Sequence, residues 1–141
     1  MTRPGFAFST TMKVRYAEID GQKVVFNSRY LEYVDVAVTE YWEWAGQREA
    51  LADEDWESHV RRTELDYLKP FVLGDTVEVF AAMEAVGTTS FRQRFELVHA
   101  DTGVLHAVAV VTGVGVDLKT GRPLPHSAAV RAFLEGLIPP R

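Results

Sequence analysis

A helix that is apolar almost all the way round limits what this chain can fold into. After Asn27 and Ser28, either of which can serve as N-cap, Tyr30, Val34, Ala37, Val38, Tyr41 and Ala45 recur at helical spacing. Leu31, Tyr33, Trp42 and Trp44 widen that face, and only Glu32, Asp35, Glu40 and Glu43 remain for a narrow polar side. Gly46 is a stop signal. Such a helix has to be covered on most sides, as when a sheet wraps around it.

The rest of the chain supplies the sheet. Phe6 to Tyr16 alternates, with Phe6, Phe8, Met12, Val14 and Tyr16 on the apolar side. Asp20-Gly21 then marks a turn. After the helix, residues 47–57 read as a loop or short helical turn. Four more strands follow: His59–Leu68, Thr76–Val86, Ser90–His99 and Val104–Asp117. Thr76–Val86 should place Val77, Val79, Ala81, Met83 and Ala85 on one face. Ser90–His99 should do so with Phe91, Phe95 and Leu97, with Gln93 between them. Short turns at Gly74-Asp75, Gly87 and Asp101-Thr102-Gly103 imply antiparallel pairing. Ser127 can cap a final helix with Val130, Phe133, Leu134 and Leu137 inward. The expected architecture is α+β: a five-stranded antiparallel sheet around one long helix, with a short C-terminal helix, as a single domain over 1–141.

Charge and residue usage narrow the chemistry. A net charge of −5 argues against a nucleic-acid partner. The absence of cysteine excludes disulfides and thiolate chemistry. His59, His99, His106 and His126 show no metal-ligand spacing, so no metal is expected. The apolar run 104–116 is too short and too interrupted to span a bilayer, and a cytoplasmic location without membrane contact is expected.

The residue that stands out is Asp20, just before the helix. A carboxylate there can attack a carbonyl or activate water, while N–H groups at the helix start hold a developing oxyanion. The residues alone favour Asp20 as the first position of an Asp-Gly turn, and Asn27 as only a cap.

The run VRYAEID…VVFNSRYLEYVDVA, from Val14 to Ala37, resembles the hotdog-fold acyl-CoA thioesterases of the 4-hydroxybenzoyl-CoA thioesterase type. The family's acid falls on Asp20, its Val-Val-Tyr/Phe step on Val24-Val25-Phe26, and its position seven after the acid on Asn27, with Tyr30-Leu31 following. Asp66-Tyr67-Leu68-Lys69-Pro70 with Gly74-Asp75, and Thr120-Gly121-Arg122-Pro123, resemble its later strand and turns. The resemblance implies a hotdog fold and hydrolysis of an acyl thioester of coenzyme A without a cofactor. It also implies a homodimer or homotetramer with the active site at the subunit interface. Asp20 becomes the nucleophile or general base, and Asn27 with the backbone N–H groups of Phe26, Asn27 and Ser28 the oxyanion site.

Tyr16 and Tyr30 become candidates for the acyl pocket, although aromatics at this spacing also suit a core. Arg61, Arg62, Arg92 and Arg94 become candidates for the coenzyme A phosphates, although solvated sheet charges explain them too. Glu32 and Asp35 are second candidates for the acid. The chain departs from the family in two places. Lys23 stands where glycine is frequent, at a position suited to positive φ. Asn27 replaces the histidine of many members. Those departures leave a second expectation, a catalytically silent hotdog protein that binds acyl groups or serves in an assembly.

Overall fold

The computed structural model describes residues 2–140. Strand β1 (Phe8–Lys13) leads through a short 3-10 turn (Tyr16–Glu18) and a tight loop into α1 (Arg29–Ala45). A one-turn helix α2 (Gln47–Ala50) follows. Then come β2 (Glu57–Tyr67), β3 (Thr76–Val86), β4 (Ser90–His99), β5 (Leu105–Val116) and α3 (Ala128–Gly136). The strands form one antiparallel sheet in the order β1-β3-β4-β5-β2. This is the hotdog arrangement expected from the sequence.

The order of the strands follows from the helix. β3, β4 and β5 pair through short turns. β1 and β2 flank α1 in sequence yet lie on opposite edges of the sheet. The segment 14–56 therefore crosses the full width of the sheet. Ala37 and Tyr41 on α1 are buried with Val79, Ala81, Phe95, Leu97, Ala107 and Ala109 of the sheet. Small side chains at Ala37, Ala81, Ala107 and Ala109 leave room in that core for Tyr33, Tyr41 and Phe95. Gly46 ends the helix in the left-handed conformation, φ 71°, which glycine adopts without a Cβ penalty. A second core gathers Met83, Phe91, Val130 and Leu134 under α3, which Ser127 caps by accepting from the Val130 N–H at 3.2 Å.

Some expectations need correction. β1 ends at Lys13, and Tyr16 lies in the 3-10 turn with 78% of its surface exposed. Phe6 precedes the strand and packs edge-on against Phe80. Ala85 is exposed because a bulge between Met83 and Ala85 shifts the register by one residue. Neither Asn27 nor Ser28 caps α1 with its side chain. Arg92 and Arg94 do share a face, but it is the one turned away from α1. The helix-facing positions of β4 are Phe91, Gln93, Phe95 and Leu97, and side chains alternate along a strand.

β2 forms an edge of the sheet for eleven residues and is mostly exposed. Val60 keeps 68% of its surface and Tyr67 50%. A bulge at Arg61 interrupts its pairing with β5. No described helix is long and apolar enough to cross a membrane.

Candidate active site

The loop between β1 and α1 is a small hairpin built on backbone hydrogen bonds. Phe26 N–H donates to the Glu18 carbonyl at 2.8 Å, Asp20 N–H to Val24 at 2.8 Å, and Lys23 N–H to Asp20 at 2.9 Å. Closing so short a turn requires a left-handed residue, and Lys23 takes that role at φ 65°. The position where the family often has glycine therefore keeps glycine's conformation. The turn after β2 braces the hairpin, since Val25 N–H donates to the Phe71 carbonyl at 2.9 Å and Val24 bridges Val72.

Glu18 anchors the loop from inside, and sequence reasoning passed over it. It is 3% exposed and accepts from the Arg15 N–H at 2.7 Å, the Arg15 guanidinium at 3.0 and 3.1 Å, and the Tyr33 hydroxyl at 2.9 Å. Burial alone would push its carboxyl up. The bonds from Arg15 N–H, Tyr33 and the Arg15 guanidinium together outweigh that and hold it below the usual range. Burial, then donation to Glu18, pushes the Tyr33 phenol up, so Tyr33 stays a neutral donor. The signals present in the sequence were Arg15 three residues before Glu18 and a tyrosine on the buried face of the next helix.

Asp20 is held differently. One carboxylate oxygen accepts from the Gln22 N–H at 2.8 Å, as the first residue of a turn does. It borders a hollow with Tyr16, Ile19, Gly21, Lys23 and Leu73. Asp20 stands two strand positions, about 7 Å, from the Glu18–Phe26 pair that precedes Asn27.

At the helix start the candidate donors divide. Phe26 N–H is engaged with Glu18, which removes it from the expected oxyanion set. Among the described residues, Asn27 N–H and Ser28 N–H have no partner. Their peptide planes are fixed from the carbonyl side. Phe26 C=O accepts from Arg29 N–H at 2.9 Å, and Asn27 C=O accepts from the Tyr67 hydroxyl at 2.8 Å. In a planar trans peptide the N–H points opposite to its C=O, so Tyr67 orients the Ser28 N–H. Tyr67 is a second residue that sequence reasoning missed.

The other expected site residues scatter. Tyr30 is 2% exposed, and its hydroxyl accepts from Phe71 N–H at 3.1 Å, which places it in the core. Arg92 pairs with Glu84 at 3.5 Å and Arg94 with Glu96 at 2.7 Å on the outer face, away from the helix start. Arg62 pairs with Glu64 at 3.5 Å on the edge strand, and Arg61 occupies the bulge there. Among the described residues, no group of three His, Asp or Glu side chains is arranged to hold a metal ion.

A separate apolar cavity of about 300 Å³ lies between α1 and the sheet, walled by Leu31, Val34, Val38, Trp42, Phe91 and Val111. Gly113 lets the Phe91 ring lie across the backbone of β5, where any Cβ would overlap the ring. Asp35, the second candidate for the acid, lines this cavity, as do Thr63 and Gln93. Among the described residues, none lines both this cavity and the Asp20 hollow.

Two stability measurements check the loop. Glu18 has a depressed carboxyl in the folded state, so its contribution is full above the unfolded value of about 4.3 and is lost as pH falls through the folded value. Glu18→Gln should therefore cost about 1–3 kcal/mol at neutral pH, with the difference from wild type shrinking in denaturant melts below about pH 4. A pH-independent difference would contradict the charged anchor. At the turn, Lys23→Gly should keep or raise the melting midpoint. Lys23→Val should lower stability by about 1 kcal/mol, because a β-branched residue resists φ near 65°. The reverse order would show that residue 23 is not left-handed.

Comparison with known proteins places these features in a family. Residues 14–134 match the Thioesterase-like superfamily. The long-chain acyl-CoA thioesterase FadM of Escherichia coli K12 is 26% identical over 134 residues, covering 92% of this chain and 98% of that protein. A thioesterase from Thermus thermophilus, solved with coenzyme A and zinc, superposes with a TM-score of 0.80 at 29% identity, covering 96% of this chain and 97% of the other. The 12:0-ACP thioesterase of Umbellularia californica, at 20% identity, shares the fold, with a TM-score of 0.85 over 95% of this chain and 54% of its own. On the family match, which spans the hairpin, α1 and all four later strands, this chain belongs to the Thioesterase-like superfamily.

Proposed function

We propose that the protein hydrolyses the thioester of an acyl-CoA to the free acid and coenzyme A, with Asp20 as nucleophile or general base. The observation that carries this reading is the hairpin. It holds Asp20, with a single backbone N–H on its carboxylate, within about 7 Å of a helix start where, among the described residues, the N–H groups of Asn27 and Ser28 have no partner. In this reading the thioester carbonyl accepts from those N–H groups, and the dipole of α1 adds to the polarisation. Asp20 either attacks the carbonyl carbon, giving a mixed anhydride that water then opens, or takes a proton from the attacking water. The thiolate leaves with the bonding electron pair. A thiol is acidic enough, with a pKa of about 8.5, that no histidine is needed to protonate it. The family membership and the likeness to FadM support the reaction class.

The proposed unit is a homodimer or homotetramer in the cytoplasm. The long, exposed β2 edge supports pairing with a second copy. Because Asp20 and the apolar cavity share no wall, a site completed by a second copy is part of the proposal. Arg61 and Arg62, on that edge, remain the proposed contacts for the coenzyme A phosphates.

A second reading has an observation of its own: Asp35 lines the apolar cavity that Asp20 does not reach within one chain. Free-thiol release from a panel of short, long and aromatic acyl-CoAs separates the two. With Asp20 as the reacting carboxylate, Asp20→Asn lowers kcat by about 100-fold or more, and Asp35→Asn changes it by less than about threefold. The opposite pattern assigns the chemistry to Asp35. Binding of acyl-CoA with no turnover by wild type identifies a silent binding protein.

A further inference from the structure

Resting on the thioesterase reading, we propose that Tyr67 is a positioning residue for the hydrolysis. Its hydroxyl acts through the Asn27 carbonyl to fix and polarise the Ser28 N–H as a donor to the oxyanion, and it serves the chemical step and not the binding of substrate.

The inference begins with a difference between the two peptide units at the helix start. The unit that carries the Asn27 N–H is held by the backbone alone, since its carbonyl, Phe26 C=O, accepts from Arg29 N–H at 2.9 Å. The unit that carries the Ser28 N–H has a weaker backbone hold. Its carbonyl, Asn27 C=O, accepts from Tyr30 N–H at 3.4 Å, which is long for such a bond. The Tyr67 hydroxyl supplies the missing restraint, donating to the same carbonyl at 2.8 Å. Because the peptide is planar and trans, a hold on the carbonyl fixes the direction of the N–H opposite. Donation to an amide oxygen also polarises the amide and strengthens its N–H as a donor.

Tyr67 is itself built into place. It lies at the end of β2 opposite Ala107, and its ring meets the buried Tyr30 edge-on at 5.0 Å. Just beyond it, Leu68 N–H and Lys69 N–H both donate to the His106 carbonyl, at 2.8 and 3.0 Å, which ties the end of the strand to β5. Half of the Tyr67 surface is exposed, so the ring is not a filler of the core, and phenylalanine would pack on Tyr30 as well. The hydroxyl is the part with a specific task. Burial pushes its phenol up, so it stays a neutral donor. It sits on the carbonyl side of the peptide, away from the N–H, and so it does not touch the reacting atoms. An oxyanion is a stronger acceptor than a thioester carbonyl, and misalignment of the donor therefore weighs more on the transition state than on the bound substrate.

The test compares wild type with Tyr67→Phe on octanoyl-CoA and benzoyl-CoA. For the better substrate kcat should fall by about 10-fold or more, short of the roughly 100-fold that loss of a whole oxyanion donor costs, while KM changes by less than about twofold. The retained ring should keep the melting midpoint within about 5 °C of wild type. A second readout uses the Asp20→Asn protein with and without Tyr67→Phe, each bound to the same ligand labelled with carbon-13 at the thioester carbonyl. Loss of the hydroxyl should raise the infrared stretch of the bound carbonyl toward its value in water, with calorimetric affinity unchanged. Binding without turnover in wild type, together with that infrared shift, supports the role of Tyr67 and sinks the hydrolytic reading instead. An unchanged kcat, a loss carried by KM, a fall in kcat with the carbonyl band unmoved, or no binding of either ligand overturns the proposal.

Discussion

Ala37, at the middle of α1, has no exposed surface, and Tyr41 one turn later has almost none. A helix of seventeen residues whose inner face is buried this deeply cannot lie on a flat sheet edge, although Leu31 and Trp44, expected inside, stay exposed on its outer face. The sheet has to curl around it, and the chain has to cross the sheet to supply both edges. That requirement explains why β1 and β2 end up farthest apart, with the hairpin ladder β3-β4-β5 between them. It also leaves uncovered the free side of β2 and an outer face of α1 that carries Leu31, Val36 and Trp44. The β2 edge recurs in the function proposed for the protein.

The two carboxylates of the hairpin show how environment divides labour between similar residues. Glu18 is buried and receives hydrogen bonds from a backbone N–H, a guanidinium and a phenol, which leave it little capacity for chemistry. Asp20, two residues on, receives one backbone N–H. The first carboxylate fixes the loop to α1 through Tyr33, and the second is left with an oxygen free to act. Tyr67 extends the same logic to the oxyanion donors: by holding the Asn27 carbonyl from the end of β2, it ties the geometry of the helix start to the edge strand.

Much of this was legible in the residues, and the reasons are specific. β3 and β4 begin and end where the sequence reading put them, because Gly74-Asp75, Gly87 and Asp101-Thr102-Gly103 are unambiguous breaks between alternating runs. Gly46 ended α1 as glycine should. The failures share a cause, since each depends on a partner distant in sequence or on the pairing of strands. Tyr16 continues the alternation of β1, yet Glu18, itself held by Tyr33, pulls Arg15 into a turn and ends the strand early. The bulge that turns Ala85 outward is a matter of pairing with β4. Tyr30 and Tyr33 look alike on the helix, and both phenols are committed, to Phe71 N–H and to Glu18.

The position of the thioester carbonyl decides the mechanism, and a crystal structure of Asp20→Asn with an acyl-CoA bound measures it directly. The expected result puts the carbonyl oxygen about 3 Å from the N–H groups of Asn27 and Ser28, residue 20 next to the carbonyl carbon, and the acyl group in a cavity beneath α1 of the same or the partner copy. A carbonyl beside Asp35, with no substrate atom near Asn27 and Ser28, would contradict it.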